Sequence, residues 1–321
     1  MLADSEVAFA GVAERIASVA DAIETVIIGK RQVIELALTS FLCNGHVLIE
    51  DIPGVGKTTL AKTLARSLGC VFKRVQFTPD LLPSDITGTA IYNQKTSAFE
   101  FREGPVFANV VLADEINRAT PKTQSSLLEC MEEHQVTVDG ITYELPLPFF
   151  VIATENNVEA IGTYPLPEAQ LDRFLMRLTM GYPDAAEEAS LLARQTREHP
   201  LTSVEPVVSR DELLQLQRDI RDVFVDSSLR DYIVEIVTAT RNHPQVQIGA
   251  SPRGSLSLLH GGQAYAALRG RTYVIPDDIK TLAPSILSHR LILRPEARLR
   301  SVHATDIITS ILDRVAVPTS I

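Results

Sequence analysis

A chain of 321 residues, 45% hydrophobic and 22% charged, has enough apolar material for a large core and for about two domains. Its formal charge of -10 argues against broad electrostatic attachment to nucleic acid or an anionic membrane, and leaves only a local basic channel open. Cys43, Cys70 and Cys130 show no metal-ligand spacing, no apolar run reaches the length of a membrane span, and the acidic start at residues 1–6 lacks a signal-peptide pattern. A reduced, cytoplasmic protein is the expectation.

Residues 9–27 predict a helix, because Val12, Ile16, Val19, Ile23 and Val26 recur at helical spacing. Ile28-Gly29-Lys30 interrupts it, and a second amphipathic helix runs from Gln32 towards Cys43. Asn44-Gly45 turns the chain into a first strand at 47–50. A helix after the next loop closes at Leu68-Gly69, and the alternation of residues 71–77 predicts a second strand. Residues 78–84, with prolines at 79 and 83, read as a loop, and residues 86–103 as a hairpin or insertion.

The apolar run at 109–113 predicts a strand, and residues 120–133 a helix with Pro121 in its first turn. Asp139-Gly140 between two alternating segments makes residues 135–144 a hairpin. Buried-type strands follow at 149–153 and 174–180. Strands alternating with helices imply an α/β fold with a parallel, doubly wound sheet. From about Ala185 helical patterns dominate, at 187–197, 210–223, 228–241, 252–268, 277–287 and 304–315. A boundary is expected near Pro183, dividing residues 1–183 from a smaller helical domain, 184–321.

Two stretches carry chemistry. In the first, the strand ending at Glu50-Asp51 runs into Pro53-Gly54-Val55-Gly56-Lys57-Thr58-Thr59 and then a helix, the context of a phosphate-binding loop. Backbone N–H groups and the helix N-terminus would form an anion site, Lys57 would add a full charge, and Thr58 would place its hydroxyl on a Mg²⁺. Asp51 stands where the general motif has glycine, and a plain strand-to-helix turn using Gly54 and Gly56 is the bland alternative. In the second stretch, a strand of residues 110–113 ends in Asp114-Glu115. The C-terminal end of a parallel strand faces the ligand crevice, so Asp114 could face the metal, directly or through water, and Glu115 the attacking water. Alone this pair could be an exposed turn; one βαβ interval after a phosphate loop, it reads as catalytic.

These stretches, with residues 112–119, Pro121-Lys122-Thr123-Gln124, Ile152-Ala153-Thr154-Glu155-Asn156 and the run 164–174 ending in Leu171-Asp172-Arg173-Phe174, closely resemble the MoxR family of AAA+ ATPases. The resemblance covers roughly residue 26 to the C-terminus. It implies a P-loop αβα core with a five-stranded parallel sheet and a C-terminal all-helical lid, and an acid at position 51 fits that family. By the same resemblance Asn156 corresponds to the sensor-1 polar residue, although Asn157 stands where the family commonly has proline. Arg173 corresponds to an arginine finger acting on a neighbour's ATP. Arg253 corresponds to sensor 2, acting on the same subunit's nucleotide. Arg118 is a second candidate for an intersubunit contact. Ile28 and Gly29 would flank the adenine. The insertions at 86–103 and 135–144 would face a ring pore or a partner.

The bland alternatives are an Asn in a turn, an ion-paired arginine, an inter-helix turn and a solvated sheet edge. The implied activity is Mg²⁺-dependent hydrolysis of ATP to ADP in a self-assembled ring, expected to be a hexamer. The implied work is chaperone-like remodelling or maturation of client complexes, including cofactor or metal insertion, with a von Willebrand factor A domain partner. Alternatives are a magnesium-chelatase-like motor subunit, a nucleic-acid motor or loader, and a nucleotide-gated scaffold. The charge balance and the lack of an aromatic-basic stacking surface weigh against nucleic acid.

Overall fold

The computed structural model describes residues 2–156, 162–194 and 200–318. Two helices, α1 (Leu2–Glu24) and α2 (Arg31–Leu42), precede the first strand, β1 (Val47–Glu50). Helix α3 (Lys57–Ser67) leads to β2 (Phe72–Gln76), a single helical turn α4 (Pro83–Thr87) and the hairpin β3 (Gly88–Asn93) and β4 (Ala98–Glu103). Next come β5 (Val110–Asp114), α5 (Pro121–Glu133), the hairpin β6 (Gln135–Val138) and β7 (Ile141–Glu144), and then β8 (Phe150–Glu155). A short helix, α6 (Glu168–Leu171), precedes the last sheet strand, β9 (Met176–Leu178).

The central sheet has five strands in the order β2-β5-β8-β1-β9, and every neighbouring pair is parallel. Alternate residues along each strand enter different cores, as the two-residue period of a strand requires. Val47, Ile49, Val110, Leu112 and Ile152 join α1, α2 and α3 on one face. Leu48, Val111, Ala113, Val151 and Ala153 join α5 on the other.

From Ala185 the chain continues as α7 (Ala185–Arg194), α8 (Arg210–Asp219), α9 (Ser227–Asn242), α10 (Pro252–Leu268), α11 (Pro276–Leu287), α12 (Pro295–Leu299) and α13 (Ala304–Leu312). A short antiparallel ribbon, β10 (Val246–Ile248) with β11 (Ile292–Leu293), interrupts these helices. Their apolar faces share one continuous core with α1, α2 and the first face of the sheet, through residues such as Leu258, Ala264 and Ile286. The expected helix at 187–197 extends past Arg194 into residues outside those described.

Both insertions are hairpins. At Asp139-Gly140 both residues have positive φ (51° and 79°), the backbone twist that a two-residue hairpin turn needs. The two hairpins touch: Phe101 of β4 stacks on Tyr143 of β7 with ring centroids 4.0 Å apart. The helical turn α4 lies partly in the stretch that reads as a loop. Pro83 starts it and Asp85 accepts the Leu82 N–H at 2.9 Å, while the preceding Leu81 carbonyl accepts from Thr123 of α5. One turn has too little periodicity to be legible, so capping and packing against α5 decide it.

Candidate functional site

At the C-terminal end of the sheet, the segment between β1 and α3 forms the expected loop. Gly54 and Gly56 sit at φ +87° and +94°, a region L side chains rarely adopt, and a Cβ on Gly54 would meet nothing. The loop thus leaves an open cradle of about 330 Å³, lined by Pro53, Gly54, Gly56, Lys57, Thr58, Thr59, Asp114, Glu115, Thr154 and Asn156. Val55 is half-buried and packs against the core rather than lining the cradle. Lys57 Nζ donates to the carbonyls of Asp51 (2.6 Å) and Glu155 (3.3 Å). Burial lowers the Lys57 pKa, and the carboxylates of Asp51, Asp114 and Glu115 oppose that shift.

Asp51 has a structural reason for replacing the motif glycine. Its buried carboxylate accepts N–H groups from Met180 (2.6 Å) and Gly181 (2.7 Å) through Oδ2, and from Ile52 (2.8 Å) through Oδ1. The phosphate loop is thereby tied to the segment that leaves β9. The neighbouring Tyr182 carbonyl accepts from Lys30 Nζ at 2.9 Å, and Glu187 of α7 packs where a Cβ on Gly29 would stand. Ile28 and Gly29 are not among the described residues lining the cradle; Gly29 abuts the Glu187 side chain instead.

Asp114 ends β5 and Glu115 follows it at φ 56° and ψ 52°, the left-handed region that is costly for a side chain of this kind. Thr154 of β8 secures both acids. Its hydroxyl accepts the Glu115 N–H (2.8 Å) and donates to Asp114 Oδ1 (2.6 Å). Arg74 of β2 pairs with Asp114 Oδ2 (2.7 and 2.9 Å), while Gln76 (2.8 Å) and Arg118 (2.9 Å) both donate to Glu115 Oε2. Arg118 is therefore engaged with the acid of its own chain. Asn156 is buried at the end of β8 and lines the same cradle. The donor set fits a nucleotide with a hard divalent cation: a hydroxyl at Thr58 and a carboxylate at Asp114 face one cradle whose glycines leave room for phosphate. Bound there, Mg²⁺ would neutralise charge on the phosphate oxygens.

Arg173 and Arg253 lie elsewhere. Arg173 precedes β9, beside the N-terminal end of β1, where the Leu175 N–H donates to the His46 carbonyl at 2.8 Å. The phosphate loop follows the opposite end of β1, a strand length of roughly 13 Å away. Arg253, in the first turn of α10, comes to the same place. Glu132, near the C-terminus of α5, binds both arginines, Arg253 through Oε1 (2.7 Å) and Arg173 through Oε2 (3.2 Å). The hydrogen bond from Arg253, helped by the charge of Arg173, holds the Glu132 carboxyl below its usual range. They border a second cleft, of about 210 Å³, with His46, Asp172, His260 and Arg290. The expectation that Arg253 serves the nucleotide of its own subunit is thus corrected: the docking of α10 on α1 and α2 carries it to the Arg173 end of the sheet.

Several residues were invisible to the sequence reading. Arg74 and Gln76 alternate on β2, which marks them as sharing a face but not what they meet. Thr154 lies inside a motif in which only Asn156 stood out. Glu132, Asp172 and Arg290 are distant in the chain and meet only on folding.

Comparison with known proteins places the chain among AAA ATPases. Residues 46–176 match the family described as "ATPase family associated with various cellular activities (AAA)", and residues 238–311 match the AAA lid domain. The chain is 56% identical over 296 residues to Bacillus subtilis YeaC, covering 92% of each. It is 44% identical to Chaperone MoxR1 of Mycobacterium tuberculosis over 92% of this chain and 80% of that one. With protein MoxR of Paracoccus denitrificans it shares 33% identity over 85% and 87% of the two chains. A crystal structure of a Cytophaga hutchinsonii protein assigned as an ATPase superposes with a TM-score of 0.90 at 40% identity, covering 99% of this chain and 98% of that one. Among the described residues no helix is long and apolar enough to cross a membrane. On the strength of these relatives, this chain belongs to the MoxR family of AAA+ ATPases.

Proposed function

We propose that this protein hydrolyses ATP to ADP and phosphate at sites shared between neighbouring subunits of a ring, a hexamer by family resemblance, in the cytoplasm. The observation that carries this reading is the division of the chemistry between two ends of one sheet. Lys57, Thr58, Asp114, Glu115 and Asn156 gather at one end, and Arg173 and Arg253 stand together at the other. In the folded chain both arginines pair with Glu132 and border the second cleft, away from its own cradle. A second copy could bring them there, so both are assigned to the neighbour's γ-phosphate. Within the cradle, Glu115 orients and deprotonates the attacking water, Asn156 holds it or the γ-phosphate, and Lys57 neutralises the phosphates. Glu132 is then the resting partner that both arginines leave on assembly.

The work done by this turnover is read as chaperone-like, which the name of the Mycobacterium tuberculosis relative supports. Client complexes matured by cofactor or metal insertion, and a von Willebrand factor A domain partner, follow from family resemblance. The exposed tip of the β3–β4 hairpin, where Tyr92 and Phe99 pair, is a candidate client-facing element. The test is Arg173→Ala. ATP binding should stay within twofold of the parent, while turnover per subunit at ring-forming concentration falls by about 10³. Near-normal turnover would remove the intersubunit assignment.

A further inference from the structure

Arg290 is a buried arginine that the ATPase chemistry does not use, and four of its seven hydrogen bonds converge on the segment 172–175, the others reaching Ile286, His289 and Ser257. It sits just after α11 and is 8% exposed. Its Nε donates to Asp172 Oδ1 at 2.8 Å, Nη2 to the Phe174 carbonyl at 2.8 Å, and Nη1 to the Leu175 carbonyl at 3.1 Å. Longer bonds reach the Asp172 carbonyl (3.4 Å) and Ser257 Oγ of α10 (3.3 Å), and a further one ties Nη1 to the Ile286 carbonyl of α11. Arg173 is thus bracketed, since the residues on both sides of it are held by one guanidinium. The second Asp172 oxygen, Oδ2, accepts from Ser251 Oγ at 3.3 Å, and Ser251 is the N-cap of the helix that carries Arg253.

We infer that Arg290 is a positioning residue for hydrolysis: with Asp172 it clamps the Arg173 segment to α10 and α11, so that Arg173 and Arg253 are presented to the neighbouring subunit as one rigid pair. Five planar donors match this task, because they can fix several carbonyls and a carboxylate in one geometry, which an ammonium cannot do. Burial lowers the Arg290 pKa to about 10, with Asp172 opposing the shift, so the group remains charged at neutral pH. A misplacement of about 1 Å at a group that acts only on the transition state costs turnover rather than binding. Helix movement in one subunit would then move both arginines together, making the lid helices the controlling element for the next subunit's site.

This inference rests on the reading of Arg173 as acting between subunits, and the experiment separates the two. Steady-state turnover and ATP affinity are measured for Arg290→Lys and Arg290→Ala in the full-length protein at ring-forming concentration. Arg290→Lys should lower kcat about tenfold with KM and the ATP dissociation constant within twofold, because its own cradle is intact. Should Arg290→Ala fail to fold, the lysine variant, which keeps the charge beside Asp172, carries the measurement. Each variant is then mixed with Glu115→Gln, which cannot hydrolyse but presents intact arginines. Mixing with Arg290→Lys should raise turnover several-fold above the sum of the separate rates, as mixing with Arg173→Ala should. Unchanged kcat, or ATP affinity falling in proportion to kcat, would overturn the clamp. So would a gain with Arg173→Ala but none with Arg290→Lys. No gain with Arg173→Ala would instead remove the intersubunit reading, and the clamp with it.

Discussion

The two ends of the central sheet are built by opposite strategies. At the C-terminal end, six residues of the single stretch 53–59 supply most of the cradle, and two consecutive residues supply the acids. At the N-terminal end, Glu132, Asp172, Arg173, Arg253 and Arg290 come from four separate parts of the chain. The first end needs one local backbone conformation to exist. The second exists only when α5, the segment before β9, α10 and the turn after α11 are all docked. A site of the first kind suits permanent nucleotide binding. One of the second kind suits control, because on the proposed reading moving any of its elements would change what a neighbouring subunit receives.

Breaking the cradle end should have the largest effect. Glu115→Gln is expected to keep ATP bound while turnover falls by more than about 10². Lys57→Ala should lose ATP affinity itself. Equilibrium binding of a fluorescent ATP analogue, set beside phosphate release, distinguishes the two. If both variants behaved alike, the division of roles within the cradle would be wrong.

A second test concerns Asp51. Changing it to glycine restores the general phosphate-loop pattern, yet it removes the acceptor of the buried Met180 N–H and the half-buried Gly181 N–H. Hydrogen bonds to a charged group are worth about 1.5–3 kcal/mol each. Asp51→Gly is therefore expected to lower unfolding stability by roughly 3 kcal/mol, read by denaturant titration. A variant as stable as the parent would show that the tie to residues 180–181 is incidental.

Glu155 gives a pH signature to the cradle end. It lies beside Glu50 on the adjacent strand, its Oε1 has no partner among the described residues, and burial, followed by the Glu50 charge, raises its pKa from 4.5 to about 7 against the pull of Arg177. The folded protein therefore holds a proton that the unfolded chain releases near pH 4.5. Stability contributed by this group is present below that value, is lost as pH rises to about 7, and stays lost above it. The full loss is roughly 3 kcal/mol. Glu155→Gln should remove most of the decline, visible as a flatter melting temperature between pH 5 and 8.

The smallest effect is expected at Glu132. Its two ion pairs are partly exposed, and pairs of that kind contribute about 0–1 kcal/mol. Glu132→Ala should shift the melting temperature by a degree or two and leave turnover within about twofold. A large fall in turnover would mean that Glu132 orients the arginines in the assembled state as well as at rest.

The sequence determined the parts of this protein whose geometry is local. The loop at 53–59 was legible because glycine spacing, lysine and threonine need only one strand–turn–helix context. The hairpin at 135–144 was legible because Asp-Gly sets its own turn. Asp114-Glu115 followed from where a parallel strand must end. Tertiary structure alone decided why Asp51 is an acid, that Thr154, Arg74 and Gln76 hold the Asp114 and Glu115 carboxylates, and that Arg253 stands with Arg173 instead of over the cradle of its own chain. These depend on contacts between residues up to more than a hundred positions apart, fixed by which apolar faces dock. Periodicity reports that a helix has such a face; only the packed core reports which partner it chose.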